Sequence, residues 1–157
     1  MAKNKIPGLL FEDLGEIKKK PEHDELSEGP EIMEAYASSP APGEFFSTLL
    51  HSATIAHQIH FKTRSFAVHK ALGEFYDEVV ELTDALVESW QGKYGLVKNF
   101  PFKYDLETEN PESFLADLDY YVKTHRELVS DDSEIQNDID TIQTLINSTT
   151  YKIRFLK

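Results

Sequence analysis

Apolar residues recur at three- and four-residue spacing along four stretches of the chain, with helix caps and breakers between them. The first stretch, 44–62, places Phe45, Phe46, Leu49, Leu50, Ala53, Ala56 and Ile59 along one side of a helix. Ser65 is positioned to cap a second helix, which runs to about Trp90 or Gln91 through Phe66, Leu72, Phe75, Val79, Leu86 and Trp90, with Gly92 and Gly95 to end it. Asn110-Pro111 reads as the cap and first position of a third helix carrying Phe114, Leu115, Leu118, Tyr121 and Val122. Ser133, preceded by Asp131 and Asp132, opens a fourth through Ile135, Ile139, Ile142, Leu145, Ile146 and Ile153. Only a few residues separate the last two, so they are expected as antiparallel neighbours. No strand-like alternation or repeat competes. The pattern predicts an all-α fold, a four-helix bundle over residues 44–157.

Residues 1–43 depart from this pattern. They hold five of the seven prolines (Pro7, Pro21, Pro30, Pro40, Pro42), and each one fixes φ and removes a backbone donor. Their apolar residues fall in two short clusters, Ile6-Pro7-Gly8-Leu9-Leu10-Phe11 and Ile32-Met33. The expectation is an extended N-terminal arm with Ile6, Leu9, Leu10 and Phe11 as partner-binding anchors and Ile32 and Met33 as a second contact. Such residues can be buried only against something else, such as another copy of the bundle or a larger assembly.

Charge narrows the partners. The 157 residues carry 16 Lys+Arg and 28 Asp+Glu, a net charge of −12. That balance disfavours DNA binding, which relies on cationic side chains displacing counterions. No cysteine is present, which excludes disulfides, thiolate metal sites and a cysteine nucleophile. No apolar run approaches the ~18 residues of a membrane span, and none follows Met1-Ala2-Lys3 as a secretion signal would. A soluble, intracellular protein is expected. No Gly-x-Ser-x-Gly segment supports nucleophilic hydrolysis.

Five residues in the first two helices carry the candidate chemistry: His57, His60, His69, Asp84 and Glu88. His57 and His60 are three apart and share a helical face. With His69 at 0° and about 100° per residue, Asp84 falls near ~60° and Glu88 near ~100°, while the apolar centre of the helix lies near ~280°. The polar set therefore occupies a flank, beside Val80 and Val87, where a second copy can pack. His69 and Asp84 are separated by about 22 Å of helix, far beyond metal–ligand reach, so one ion can join them only if two copies pack antiparallel. A di-iron site inside a single bundle needs Glu-x-x-His on two helices. No Glu here has a His three residues later. Read alone, Asp77, Glu81, Asp84 and Glu88 form an acidic stripe of the kind that usually faces solvent; three of the six histidines lying just upstream give it weight.

Residues 57–94 resemble mini-ferritins of the Dps type, within the ferritin-like family. His60-Phe61, His69, Asp84 and Glu88 match that family's ligand pattern, the last three at the same spacing. The ending Tyr151-Lys152-Ile153-Arg154-Phe155-Leu156 is similar to that of the family's last helix. Phage-encoded Dps-like proteins share the doubled His and the segment Gln91-Gly92-Lys93-Tyr94-Gly95. The resemblance implies a homo-oligomer with a metal site shared between two-fold-related subunits and oxidation of Fe²⁺ by peroxide or O₂, with Zn²⁺ and Mn²⁺ as competitors. His60, His69, Asp84 and Glu88 would be the ligands. The family's further carboxylate falls on Gly73, and His57 is expected as the auxiliary ligand in its place. The alternative function is a non-enzymatic phage virion or assembly component that reuses the bundle for packing and docks through its N-terminal arm on a phage capsid or tail; the expected location is then the cytoplasm of a host cell or the virion.

Overall fold

The computed structural model describes residues 40–101 and 110–156. It contains four α-helices: α1 (Pro40–Lys62), α2 (Phe66–Tyr94), α3 (Pro111–Val129) and α4 (Ser133–Phe155), with no strand among the described residues. The expected arm anchors Ile6, Leu9, Leu10 and Phe11, like Ile32 and Met33, lie outside the described residues.

Local chemistry explains where each helix starts and stops. α1 begins at Pro40, four residues before the apolar pattern starts. Prolines at 40 and 42 are compatible with this because a first helical turn has no intrahelical partner for its N–H groups. Gly43, in that turn, is buried so closely against the chain after α2 that a Cβ would overlap the carbonyl of Asn99. Ser65 caps α2, its Oγ accepting from the Val68 N–H at 3.3 Å. The helix then runs through Gly92 to Tyr94 and ends at Gly95, whose φ of 91° suits glycine. The helix was expected to end near Trp90. A glycine inside a helix costs only about 1 kcal/mol, and the buried Trp90 and Tyr94, rings 5.0 Å apart, hold the last turn in place. Asn110 Oδ1 accepts from the N–H groups of Glu112 and Ser113, both at 2.9 Å, ahead of Pro111. Asp132 occupies the cap position of α4 but makes no capping bond. Its carboxylate accepts instead from the Tyr94 and Ser130 hydroxyls and pairs with the Lys93 ammonium at 2.9 Å. That pairing holds the Lys93 pKa above its usual value.

Contacts between helix ends set the directions. Trp90 Nε1–H donates to the Val129 carbonyl at 3.1 Å, and Phe75 meets Phe114 at 6.1 Å, so α2 and α3 run parallel. Phe46 near the start of α1 packs on Trp90 near the end of α2, and Phe45 stacks on Tyr121 of α3, so α1 opposes both. Lys152 of α4 reaches Glu74 of α2 at 2.7 Å, and Arg154 reaches Glu112 of α3 at 3.5 Å, so α4 also opposes both. The pairs in extensive contact are α1 with α2, α2 with α4, α4 with α3, and α3 with α1. Each helix thus has antiparallel neighbours, and the parallel helices α2 and α3 sit on a diagonal. One apolar core fills the centre, with Trp90, Phe45, Phe46, Phe75, Leu72 and Ile139 fully buried. No helix among the described residues is long and apolar enough to cross a membrane.

Two outcomes are expected. Trp90→Phe keeps a ring in the core but leaves the Val129 carbonyl without its donor, so urea unfolding should report a loss of about 1–3 kcal/mol. Asp117, half-buried on α3, has its pKa raised by desolvation. A carboxyl with a raised native pKa destabilises the fold when ionised and ceases to do so as pH falls through that pKa. Asp117→Asn should therefore raise the urea midpoint at neutral pH, and the gain should shrink as the pH is lowered toward the ordinary carboxylate range.

Candidate functional site

Where α1 ends and α2 begins, residues 63–65 make a tight turn. The Thr63 N–H donates to the Ile59 carbonyl at 3.0 Å, the Ser65 N–H to Thr63 Oγ1 at 3.2 Å, and the His69 N–H to the Ser65 carbonyl at 2.9 Å. This turn brings His60 and His69 face to face, with ring centroids 3.6 Å apart and planes 21° from parallel. Each imidazole also reaches the other's backbone: His60 Nδ1 lies 2.7 Å from the His69 carbonyl, and His69 Nδ1 lies 3.2 Å from the His60 carbonyl. A carbonyl can only accept, so both Nδ1 atoms carry the proton. In the neutral rings both Nε2 atoms then hold a lone pair. Donation of one ring N–H to a carbonyl is how metal-ligating histidines are usually oriented.

His57 lies alongside. Its ring stacks on Tyr76 at 4.2 Å, contacts Phe61 at 4.5 Å and meets His60 edge-on at 5.8 Å. The His60 ring covers Gly73, where a Cβ would stand 3.5 Å from Cε1. Beside the paired rings, His60, His69, Lys70, Gly73, Glu74, Tyr76 and Asp77 line an open cleft of about 220 Å³.

The structure brings His57, His60 and His69 together and leaves Asp84 and Glu88 apart from them. Both carboxylates are exposed on α2, about 22 and 28 Å further along the axis at 1.5 Å per residue. Among the described residues, no Lys or Arg pairs with either carboxylate, and no three His, Asp or Glu side chains converge as an ion would require. Between His69 and Asp84, Val80 is 36% exposed, and Val87, half-buried, lies between the two carboxylates, so the flank is partly apolar. Sequence reasoning missed Tyr76, which fixes His57, although it lies seven residues from His69 and so shares its side of the helix. It also placed Asp77 only in the acidic stripe, whereas Asp77 lines the cleft.

Residues 60–153 match the model of a family of unknown function, DUF5856. The matched region begins at His60 and includes His69, Asp84 and Glu88 but not His57. No curated protein and no solved structure matches the chain.

The paired histidines have a spectroscopic signature. In ¹⁵N–¹H correlation spectra recorded where the rings are neutral, His60 and His69 should both appear as the Nδ1–H tautomer, the minority form of a free imidazole. The Nε2–H form at both positions would show that the reciprocal bonds are not made.

Proposed function

The chain belongs to that DUF5856 family, and we propose that it is a ferritin-like, Dps-type metal-binding protein whose site is shared between two copies. The observation that carries this reading is the pair of histidines presenting two Nε2 lone pairs on the same flank of α2 as two exposed carboxylates too distant to join them in one chain. An antiparallel two-fold pairing of α2 flanks sets the His60 and His69 of one copy against Asp84 and Glu88 of the other, and generates the same site twice. The partly exposed Val80 supplies the apolar contact between the carboxylate and histidine ends. The helix order, with α2 and α3 parallel and one long connection between them, supports the ferritin-like comparison.

The donor set suits Fe²⁺ as substrate, with Zn²⁺ and Mn²⁺ as competitors, because imidazole and carboxylate together favour these ions over Mg²⁺ or Cu⁺. His60 and His69 bind, with His57 as auxiliary ligand. Asp84 and Glu88 of the second copy supply negative charge, which favours Fe³⁺ over Fe²⁺ once peroxide or O₂ accepts the electron. The second reading is a non-enzymatic packing module of a phage particle. It draws on the exposed aromatics Phe61, Phe66 and Phe155, which a lone bundle in water has no reason to present.

Mixing variants tests the shared site. His69→Ala protein and Asp84→Ala/Glu88→Ala protein should each fail to bind Fe²⁺ or Zn²⁺ at the wild-type stoichiometry. Mixed after dissociation, they should regain one intact site in each mixed dimer, read by elemental analysis alongside native mass. Full-affinity binding by an isolated single chain overturns the sharing, and metal-free protein that does not load with Fe²⁺ or Zn²⁺ favours the packing module.

A further inference from the structure

The end of the bundle formed by the α1–α2 turn, the start of α2 and the end of α4 is chemically unlike the rest of this acidic chain. Lys62, Arg64 and Lys70 lie within nine residues there, and the antiparallel α4 adds Lys152 and Arg154 at the same level. Two of these cations are already engaged, Lys152 with Glu74 and Arg154 with Glu112, which leaves Arg64 and Lys70 as charges on this end that make no ion pair among the described residues. Lys152 also holds the Glu74 pKa below its usual value. Interleaved with the cations are the most exposed aromatics among the described residues, Phe66 at 78%, Phe61 at 72% and Phe155 at 71%. A surface that is cationic and aromatic together matches an occupant that is anionic and apolar together.

The chain contains such a segment. Residues 9–17 read Leu9-Leu10-Phe11-Glu12-Asp13-Leu14-Gly15-Glu16-Ile17, five apolar side chains and three carboxylates with no cation among them. We propose that this segment docks on the cationic, aromatic end of its own bundle, with Phe11 and Leu14 against Phe66 and Phe155 and the carboxylates facing Arg64 and Lys70. Reach is not limiting. α1 starts at Pro40 at the opposite end, beside Trp90, and α1 itself spans about 35 Å. Residues 18–39 can extend to about 75 Å, twice that distance. Tethering sets an effective concentration of about millimolar, which favours the chain's own segment over a free competitor of equal chemistry. A membrane is the weaker match, since a net charge of −12 opposes approach to anionic lipid.

The absence of native cysteine makes the docking directly readable in the full chain. Gly15→Cys/Ala67→Cys places one thiol in the segment and one at the start of α2, and Gly15→Cys/Ser89→Cys moves the second thiol to the far end of the same helix. Under mild oxidation the first pair should close an intrachain disulfide about ten-fold faster than the second, read as a faster-migrating monomer on non-reducing gels. Phe66→Ala/Phe155→Ala, both at exposed positions that the fold does not need, should bring the first pair down to the rate of the second. Equal rates for the two pairs, or no response to the phenylalanine substitutions, overturn the proposal. Disulfide-linked dimers in place of monomers overturn it in favour of a second copy. Sedimentation of the native chain with phosphatidylserine vesicles, lost in Phe66→Ala/Phe155→Ala, overturns it in favour of a membrane.

Discussion

The bond from the Trp90 indole to the Val129 carbonyl joins the ends of α2 and α3, and much of the architecture follows from it. Two helices that finish at the same level run parallel, so the chain has to travel the length of the bundle between Tyr94 and Pro111. Parallel helices on a diagonal leave every adjacent pair antiparallel, and short turns then suffice for α1–α2 and α3–α4. Around this join, Tyr94, Ser130, Asp132 and Lys93 satisfy one another's polar groups at the rim of the core. Within the core, Gln143 Oε1 is buried without a partner among the described residues, while its amide nitrogen donates to Asp119.

Directions set at one end fix what is presented at the other. Because α1 and α2 part from the Trp90 end and meet again at residues 63–65, the histidines are collected at the opposite pole of the molecule. There the turn, and not the core, determines their geometry. A turn that positions two imidazoles through each other's backbone needs no carboxylate to orient them. This leaves the acidic side chains of α2 free of that duty and spread along the exposed flank. The separation of bases from acids on a single helix is thus a consequence of how the rings are held.

The elements that were legible in the sequence are those governed by neighbours in the chain. Ser65 and Asn110-Pro111 cap where their side chains predict, because the N–H groups they accept from lie two or three residues on. The end of α2 was legible only in part: Gly92 and Gly95 both look like stops locally, and the tertiary packing of Trp90 and Tyr94 carries the helix past the first to the second. Nor was the start of α1, since Pro40 and Pro42 suit a first turn as readily as a loop. At the site, the grouping of His57, His60 and His69 could be read from spacing across a short turn. The reciprocal bonds could not, because they depend on carbonyls nine residues away whose direction the turn alone decides.

Trp90 is the only tryptophan in the chain, and it is fully buried between Phe46 and Tyr94. Intrinsic fluorescence therefore watches one pole of the bundle. His69 lies about 32 Å away along α2, at 1.5 Å per residue. Proteins open locally as well as globally. Fraying of the α1–α2 turn would leave the emission of Trp90 untouched, so an unfolding transition followed by that signal alone reports the Trp90 end of the molecule and is blind to the end where His60 and His69 pair.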